Sequence, residues 1–262
     1  MPDSGPGEEI QCDLADRAQL RPVFETEQVR AIIHLAAVLP TAAQQNPRLA
    51  TEVNVQASAQ LLELACQFGV QRVVFGSSLS IYGTYSAEQM ISEQARAAPE
   101  DLYGAAKLYV EQLGQAYREC HGVDFVSLRI GRVVGPGARS TTSAWRSQIF
   151  ELLKTEYPCE ILLPYRAAER ILVLHVDDVA AMLMAVIGAP QTAHSVYNAP
   201  CSAIVVGELK RLLEHLNRKI SVRLADAVPA GNPQMLDFRR FQNEFRLETV
   251  AIFDRLRTAA GK

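Results

Sequence analysis

The chain has 262 residues, of which 48% are hydrophobic and 21% are charged, and its formal net charge at pH 7 is -3. This composition is typical of a globular protein, and it excludes the clustered positive charge with which proteins bind nucleic acids or anionic membranes. The apolar runs are shorter than the ~20 residues of a membrane-spanning helix, and the first ten residues lack the basic and apolar regions of a secretory signal. We therefore expect a cytoplasmic protein with no nucleic-acid or membrane partner.

Five cysteines are scattered along the chain, at Cys12, Cys66, Cys120, Cys159 and Cys201. Their number is odd and no two of them form a C-x-x-C pair, so the sequence indicates neither a disulfide framework nor a metal site. We interpret all five as small residues of the core.

Short apolar runs alternate with longer helical patterns, which favours a mostly parallel α/β sheet. Val29 to Ala37 is a continuous apolar run of the kind that is buried on both faces of such a sheet. Apolar residues at three- and four-residue intervals predict a helix from Arg48 to Gln67. Gln71 to Ser77 is predicted to be a second buried strand, and it ends in small polar residues at the edge where open α/β sheets hold their chemistry.

The alternation continues to the end of the chain. The pattern predicts a helix over Tyr103 to Cys120, a strand over Asp124 to Ile130 and a glycine-rich turn over Gly131 to Arg139. The later predicted elements are a helix near Thr142 to Lys154, a strand over Arg170 to Val176, a helix over Asp178 to Ile187 with Asp177 or Asp178 as its N-cap, a helix around Val206 to Leu216, and packed helices after Met235.

Tyr103 and Lys107 stand four residues apart at the start of a predicted helix, and so on one helical face. A Tyr hydroxyl with a pKa of about 10 is a weak base near neutral pH, but a nearby ammonium lowers that pKa. The pair can then move a proton to or from a substrate hydroxyl. Ser77, Ser78 and Ser80 follow the preceding strand and can meet Tyr103 over one crevice. By itself, however, the Tyr-Lys spacing also occurs on solvated helices, and such serines also occur as turn or cap residues.

Several short motifs follow one another along the chain. They are Asp13-Leu14, His34-Leu35-Ala36-Ala37, Asn54-Val55, the segment VVFGSSLSIYG from Val73 to Gly83, Tyr103 with Lys107, the segment RIGRVVGPG from Arg129 to Gly137, and HVDDVA from His175 to Ala180. In this order they resemble the extended short-chain dehydrogenases/reductases of the NAD-dependent epimerase/dehydratase family. The resemblance extends from about Asp13 to the C-terminus and implies a Rossmann-type fold.

The resemblance also implies roles for the matched residues. Tyr103 would be the general acid/base, Lys107 would lower its pKa and hold the nicotinamide ribose, and Ser78 would hydrogen-bond the reacting oxygen. The residues expected at the dinucleotide, which would be NAD or NADP, are Asp13, Leu14, Leu35, Ala36, Ala37, Asn54, Ser77, Tyr103, Lys107 and Ile130. The residues expected at the substrate are Ser78, Ser80, Tyr103 and Arg132. No residue is expected to bind a metal.

Simpler structural roles stay open for some of these residues. For Asp13 the simpler role is the cap of a helix over Leu14 to Phe24, for Asn54 it is a helix residue that hydrogen-bonds the backbone, and for Tyr82 it is packing. For His34 it is a hydrogen-bonded position in the core. For His175 and Asp177 the simpler roles are a strand-end hydrogen bond and an N-cap.

The sequence departs from the family pattern at its start. The family begins with a strand, a G-x-x-G-x-x-G turn, a helix and a second strand, whereas Gly5-Pro6-Gly7 follows no strand and opens no helix. We therefore expect the chain to begin near the family's third strand, at Ile10 to Leu14, and to be a fragment or truncated form. Val29 to Ala37 would then be an unpaired apolar edge, to which Ile10 to Leu14 is predicted to pair if the chain folds alone.

A second departure concerns the substrate. Arg132 stands where nucleotide-sugar enzymes of the family usually carry Asn, and Arg139 and Arg146 follow it. Because Arg can bind a carboxylate or phosphate through two donors, we expect an anionic substrate group near Arg132; the alternative is a surface ion pair. Leu79 and Ser80 stand where dehydratases of the family carry Asp-Glu, which disfavours dehydration.

These observations predict an α/β fold with a Rossmann-type parallel sheet, N-terminally truncated, and a small C-terminal substrate lobe. The cofactor-binding core would comprise residues 8–131 and 170–198, and the lobe residues 132–169 and 199–262. The predicted function is that of an NAD(P)-dependent epimerase or dehydrogenase for a sugar-like alcohol or ketone, and the resemblance implies a homodimer formed through helices Arg48 to Gln67 and Tyr103 to Cys120. The alternative is a non-catalytic Rossmann-like binding module, or an inactive fragment that cannot hold a dinucleotide.

Overall fold

The structure is a computed structural model, and it describes residues 9–137, 143–227 and 231–262. Strands and helices alternate along it, as the sequence predicts. The strands are Ala31–His34 (β1), Arg72–Ser78 (β2), Met90–Ile91 (β3), Asp124–Ile130 (β4), Arg132–Val134 (β5), Cys159–Leu163 (β6), Arg170–His175 (β7), Val196–Asn198 (β8), Ser202–Val205 (β9), Ile220–Leu224 (β10) and Met235–Leu236 (β11). The α-helices are Arg17–Thr26 (α1), Pro40–Gln45 (α2), Pro47–Thr51 (α3), Ala57–Gln67 (α4), Leu102–His121 (α5), Trp145–Glu151 (α6), Val176–Gly188 (α7), Val206–Leu216 (α8), Arg239–Phe245 (α9) and Ile252–Ala259 (α10).

The main sheet has four parallel strands in the order β1, β2, β4, β8. All residues of β2 are buried, because helices cover both faces of the sheet. Its register with β4 runs from Arg72 opposite Asp124 to Ser78 opposite Ile130. Ser78 therefore stands at the carboxyl edge of the sheet, where the sequence places the chemistry.

Two apolar clusters sandwich this sheet. On one face Val73 and Phe75 pack with residues of α1, α4 and α5, and on the other face Val74 packs with residues of α7. The opposite directions of Val73 and Val74 follow from the two-residue repeat of a strand. The fold is therefore a three-layer α/β arrangement of the Rossmann type, as predicted.

A third cluster lies outside the main sheet and involves the strand pair β6–β10 and the helices α6, α8 and α10. The mixed sheet β5–β7–β9 contributes Ile171, Val173 and Ile204 to it. Helix α9 packs elsewhere, since Phe241 belongs to the cluster that covers the main sheet. The division into residues 8–131 with 170–198 and residues 132–169 with 199–262 stays a proposal.

The N-terminal part differs from the prediction. The first strand covers only Ala31–His34, and the predicted end of that strand, residues 35–37, leaves the sheet with Leu35 52% exposed. Ile10 to Leu14 forms no strand, so its predicted pairing with the first strand is wrong. Instead, Cys12 and Leu14 pack against the cluster that contains Leu20. Within the described residues β2 is the strand neighbour of β1, whose other edge is open as predicted.

The predicted helix Arg48 to Gln67 is interrupted. A π-helical turn, Glu52–Gln56, joins α3 to α4. Within it the buried side chain of Asn54 accepts from the backbone N–H of Val38 at 2.6 Å and donates to its carbonyl oxygen at 3.0 Å. Asn54 thus satisfies the backbone of the loop after β1, which is the structural alternative that the sequence left open for it.

Two predictions in the second half need correction. The glycine-rich segment expected to be a turn contains β5, which pairs in parallel with β7 from Arg132 opposite Val173; the end of that segment lies outside the described residues. The N-cap of α7 is His175, whose Nδ1 accepts from the backbone N–H of Asp177 at 3.3 Å. Asp177 is not the cap because β7 runs directly into the helix; it pairs with Arg255 instead, as Asp178 does.

All five cysteines are free. Four are partly buried, but Cys120 is exposed near the end of α5, so its interpretation as a core residue is wrong. Across residues 9–137, 143–227 and 231–262, no helix is long and apolar enough to span a membrane. The same residues contain no group of three or more acidic, His or Cys side chains that is arranged to bind a metal ion.

Candidate active site

Ser78 ends β2 and caps the short 3-10 turn Leu79–Ile81. Its Oγ accepts from the backbone N–H of Ser80 at 3.1 Å and lies 3.1 Å from the hydroxyl of Ser80. The cap role that the sequence left open is therefore real. Tyr103 lies close enough for this hydroxyl to act on its pKa, so Ser78 belongs to the site as well.

Helix α5 is held against this turn by a close backbone contact. Asp101 caps the helix and accepts from the backbone N–H of Gly104 at 2.6 Å. A Cβ on Gly104 would lie 2.5 Å from the carbonyl oxygen of Ser80, so the helix can approach this closely only because the residue is glycine. The contact brings Tyr103, one residue earlier, to Ser78.

Lys107 lies one helical turn after Tyr103 and is only 3% exposed. Its Nζ is 4.4 Å from the ring centroid of Phe75 and 5.6 Å from that of Tyr103. Burial lowers the pKa of Lys107 to about 8, against the opposing charge of Glu111. Tyr103 and Lys107 thus share one face of α5, as the spacing predicts, and Tyr103 lies beside Ser78.

The electrostatics of Tyr103 differ in their source from the prediction. Burial raises the pKa of the Tyr103 hydroxyl, and the hydrogen bond with Ser78 and the positive charge of Arg146 act in the opposite direction. The cation that opposes the rise in this structure is therefore Arg146, which the sequence did not place at the hydroxyl. That Lys107 lowers this pKa stays a prediction.

Arg132 is buried on β5, and its Nε donates to the hydroxyl of Tyr165 at 3.0 Å. Since Arg132 is buried, the alternative of an ion pair on the surface is wrong. Arg139 lies outside the described residues. Ser80 stands beside Ser78, but its hydroxyl is buried and bonded to that serine.

The residues predicted for the dinucleotide are spread over the carboxyl edge of the sheet and the N-terminal segment. Asp13 accepts from the backbone N–H of Ala15 at 2.9 Å, but the cap of α1 is Asp16, so the proposed cap role of Asp13 is wrong. Residues 35–37 follow β1, and the side chain of Leu35 lies over Gly76. Ile130 ends β4 and is half-buried.

An orphaned hydroxyl supports a dinucleotide at this edge. The Oγ of Ser77 is buried and has no hydrogen-bond partner, and buried polar groups are seldom left so. It follows Gly76, whose carbonyl oxygen accepts from Lys107 at 2.7 Å. The residues present therefore fit the nicotinamide end of NAD(P). That Lys107 and Ser77 would hold it stays a prediction. For the pyrophosphate, the sequence contains no G-x-x-G-x-x-G turn.

A buried polar network stands beside the site, and sequence reasoning found only part of it. The hydroxyl of Tyr82 donates to Asn198 at 2.7 Å and accepts from Arg129 at 2.7 Å. Arg129 in turn pairs with Glu111 on α5 at 2.7 Å. Tyr82 is thus a packing residue, as its structural alternative states. The signal in the sequence for the ion pair was one charged residue within each of two otherwise amphipathic or apolar elements, Glu111 in α5 and Arg129 in β4.

His34 is a satisfied core residue, as the sequence indicates. Its Nε2 lies 2.9 Å from the hydroxyl of Ser58, which itself donates to the carbonyl oxygen of Asn54. Burial, with a smaller contribution from the charge of Lys107, lowers the pKa of His34 to about 4. The imidazole is therefore neutral at physiological pH.

An α/β sheet of Rossmann type with a Tyr, a Lys and a Ser at its carboxyl edge defines a class of nucleotide-dependent oxidoreductases and epimerases. Residues 3–199 match the model of the NAD dependent epimerase/dehydratase family, and the chain belongs to this family. The resemblance seen in the sequence is thereby confirmed.

Two curated relatives have similar sequences. Uronate dehydrogenase of Pseudomonas putida is 35% identical over 131 residues, which are 50% of this chain and 47% of that protein. UDP-glucuronate 4-epimerase of Thermodesulfobacterium geofontis is 33% identical over 138 residues, which are 52% of this chain and 42% of that protein. The chain spans about half the length of the curated relatives that it matches.

Solved structures with the same fold are also similar to this chain. L-threonine 3-dehydrogenase from Trypanosoma brucei has a TM-score of 0.83 at 22% identity and covers 98% of this chain and 83% of its own. UDP-glucose 4-epimerase from Thermus thermophilus, in complex with NAD, has a TM-score of 0.79 at 21% identity, over 95% of this chain and 82% of its own. At this identity the likeness establishes the fold.

Proposed function

We propose that this chain carries the catalytic site of an NAD(P)-dependent dehydrogenase or epimerase that acts on a sugar-like alcohol or ketone. The observation that carries the proposal is that Tyr103 lies beside both Ser78 and Lys107 at the carboxyl edge of the main sheet. The names of the relatives support it, since they describe a dehydrogenase and an epimerase of sugar derivatives.

Tyr103 performs the proton transfer in this proposal. Its hydroxyl, as phenolate, takes the proton of a substrate hydroxyl while the carbonyl forms, and returns it in the reverse step. Ser78 lies beside Tyr103 and can hold the same substrate oxygen. Lys107 would hold the nicotinamide ribose from its buried position. The dinucleotide, when bound, supplies the acceptor or donor of the hydride.

Two residues argue against dehydration as the reaction. Leu79 and Ser80 follow Ser78 directly. Leu79 is buried and apolar, and the hydroxyl of Ser80 is bonded to Ser78, so neither supplies an acid/base pair for the elimination of water. The two reactions that remain are those of a dehydrogenase and of an epimerase. In both of them the substrate alcohol is oxidised to a keto compound.

The proposal includes a homodimer in the cytoplasm. Leu49 on α3 and Leu102 and Tyr109 on α5 expose apolar side chains that a second copy would remove from water. The five free cysteines are typical of a reducing compartment. Light scattering on the chain and on Tyr109→Glu tests the dimer, which the substitution should dissociate; a monomeric chain would contradict it.

The test of the reaction is a screen of sugars and sugar acids with NAD and NADP, following the absorbance of the reduced nicotinamide. Tyr103→Phe should lower the rate by at least about a hundredfold. Tyr109→Phe, an exposed tyrosine on the same helix, is the matched control and should keep the rate.

The screen also addresses the alternative function. That alternative is a non-catalytic module that keeps the Rossmann-type scaffold but does not bind the pyrophosphate of a dinucleotide. A folded chain that neither binds the nucleotides nor turns over any sugar would support the module and contradict the enzyme. Equal rates for Tyr103→Phe and the parent chain would contradict the assigned role of Tyr103.

A further inference from the structure

Two arginines share an aromatic wall beside Tyr103. The guanidinium of Arg132 lies 5.5 Å from the ring centroid of Tyr165, and that of Arg146 lies 5.9 Å from the ring centroid of Trp145. The two rings contact each other edge to face at 6.2 Å. Strand β5 carries Arg132, and α6 carries Arg146, so the pair is brought together only by the fold.

Among the residues that the structure describes, most donors of this pair have no hydrogen-bond partner. A guanidinium has five N–H donors, and Arg132 uses its Nε for the hydroxyl of Tyr165. The Nε of Arg146 is buried without a hydrogen-bond partner. In the described parts of the chain neither arginine forms an ion pair, while Glu151, on the same helix as Arg146, accepts from the backbone N–H of Gly137. Like charges buried together in this way are stabilised by an anion that bridges them.

The arginine pair lies near the predicted reacting centre at Tyr103. The charge of Arg146 acts on both Arg132 and Tyr103, and burial is the main reason why the pKa of Arg146 lies below its usual value. A bound oxyanion would satisfy both guanidiniums and remove this repulsion. An oxyanion at Arg146 would therefore also lie on the side of the site that faces Tyr103, whose pKa the charge of Arg146 affects.

We propose that Arg132 and Arg146, with the hydroxyl of Tyr165, bind an anionic group of the substrate, a carboxylate or a phosphate, while the carbon to be oxidised lies at Tyr103. The inference rests on the proposed function for the role of Tyr103, but the anion site itself can be tested without turnover. It identifies the substrate as an acidic sugar derivative and makes Arg146 a specificity-determining residue.

The chain contains one tryptophan, and it lies in this wall. Trp145 fluorescence therefore reports binding at the pair directly. We would titrate the chain with glucuronate, glucose 6-phosphate and neutral glucose, each with and without NAD. Saturable changes with either acid but not with glucose are expected, and the acid that binds more tightly decides between carboxylate and phosphate.

Substitutions then assign the effect to the arginines. Arg132→Gln and Arg146→Gln should each weaken binding of the acid by about tenfold or more, since a hydrogen bond to a charged group is lost. Arg223→Gln is the matched control, because Arg223 is exposed and pairs with Glu160 at 3.0 Å. It should leave the affinity unchanged.

The outcomes separate this inference from the proposed function. Equal binding of glucose and both acids, no binding of either acid by the folded chain, or unchanged affinity in Arg146→Gln would each overturn the anion site. Acid binding that depends on both arginines, in a chain that performs no redox chemistry, would keep the site and overturn the enzyme.

Discussion

The ammonium of Lys107 donates a hydrogen bond of 2.7 Å to the carbonyl oxygen of Gly76 and so ties α5 to β2. Burial lowers the pKa of this ammonium from 10.5 to about 8. Between these values the unfolded chain binds more protons than the folded one. The free energy of unfolding therefore rises with pH across this window, by up to about 3 kcal/mol from Lys107 alone.

Lys107→Met should remove that rise. Urea unfolding measured from pH 7.5 to 10.5 should give a parent-minus-variant difference in unfolding free energy that increases with pH. Lys154→Met, at an exposed lysine, is the control and should follow the parent. A constant difference between Lys107→Met and the parent would refute the lowered pKa.

At acidic pH, His34 should make the free energy of unfolding depend on pH. Its pKa is about 4 in the folded chain because burial disfavours the imidazolium, against 6.5 when unfolded. The unfolded chain takes up the proton first as the pH falls, so stability is lost between about pH 6.5 and 4, by up to about 3 kcal/mol. His34→Gln should lose less stability over this range, as measured by denaturant unfolding. His121→Gln, at an exposed histidine, should lose as much as the parent.

Gly114 allows α5 to lie directly on β4. A Cβ at this position would come within 2.3 Å of the ring of Phe125, which is buried and stacked on Phe75. Gly114→Ala should therefore lower the unfolding free energy by about 1–3 kcal/mol through overpacking. Gly188→Ala, where a Cβ meets no atom within 4 Å, is the control. If both alanines had the same effect on the thermal midpoint, the close packing would be disproved.

The buried ion pair of Arg129 with Glu111 predicts a large loss when one partner becomes neutral. Arg129 donates to Glu111 through Nε at 3.0 Å and Nη2 at 2.7 Å. Glu111→Gln leaves the guanidinium buried without its counter-ion, which should cost about 3–5 kcal/mol. Glu160→Gln breaks an exposed pair and should cost at most about 1 kcal/mol. Chemical denaturation of both variants measures these losses of unfolding free energy. If Glu111→Gln lost as little as Glu160→Gln, the buried ion pair would be contradicted.

The periodicity of the sequence was enough to predict the type and the bounds of some regular elements. The predicted strand Asp124 to Ile130 and the predicted helix Val206 to Leu216 have the bounds that the structure shows. A long apolar repeat has one face to bury, so its local pattern decides its type. The predictions failed where an element is short or depends on a neighbour, as for Ile10 to Leu14 and for β5, which is a strand only because β7 pairs with it.

The sequence by itself determined the family, the Rossmann-type fold and the shared helical face of Tyr103 and Lys107, because these depend on motif order and on a four-residue spacing. Only the tertiary structure decided that Arg146 lies near enough to both Arg132 and Tyr103 for their charges to influence one another. These residues lie on different elements, and no periodicity relates them. Their proximity arises from the packing of α6 against β5, and from the close approach of α5 to the turn after β2 that Gly104 permits.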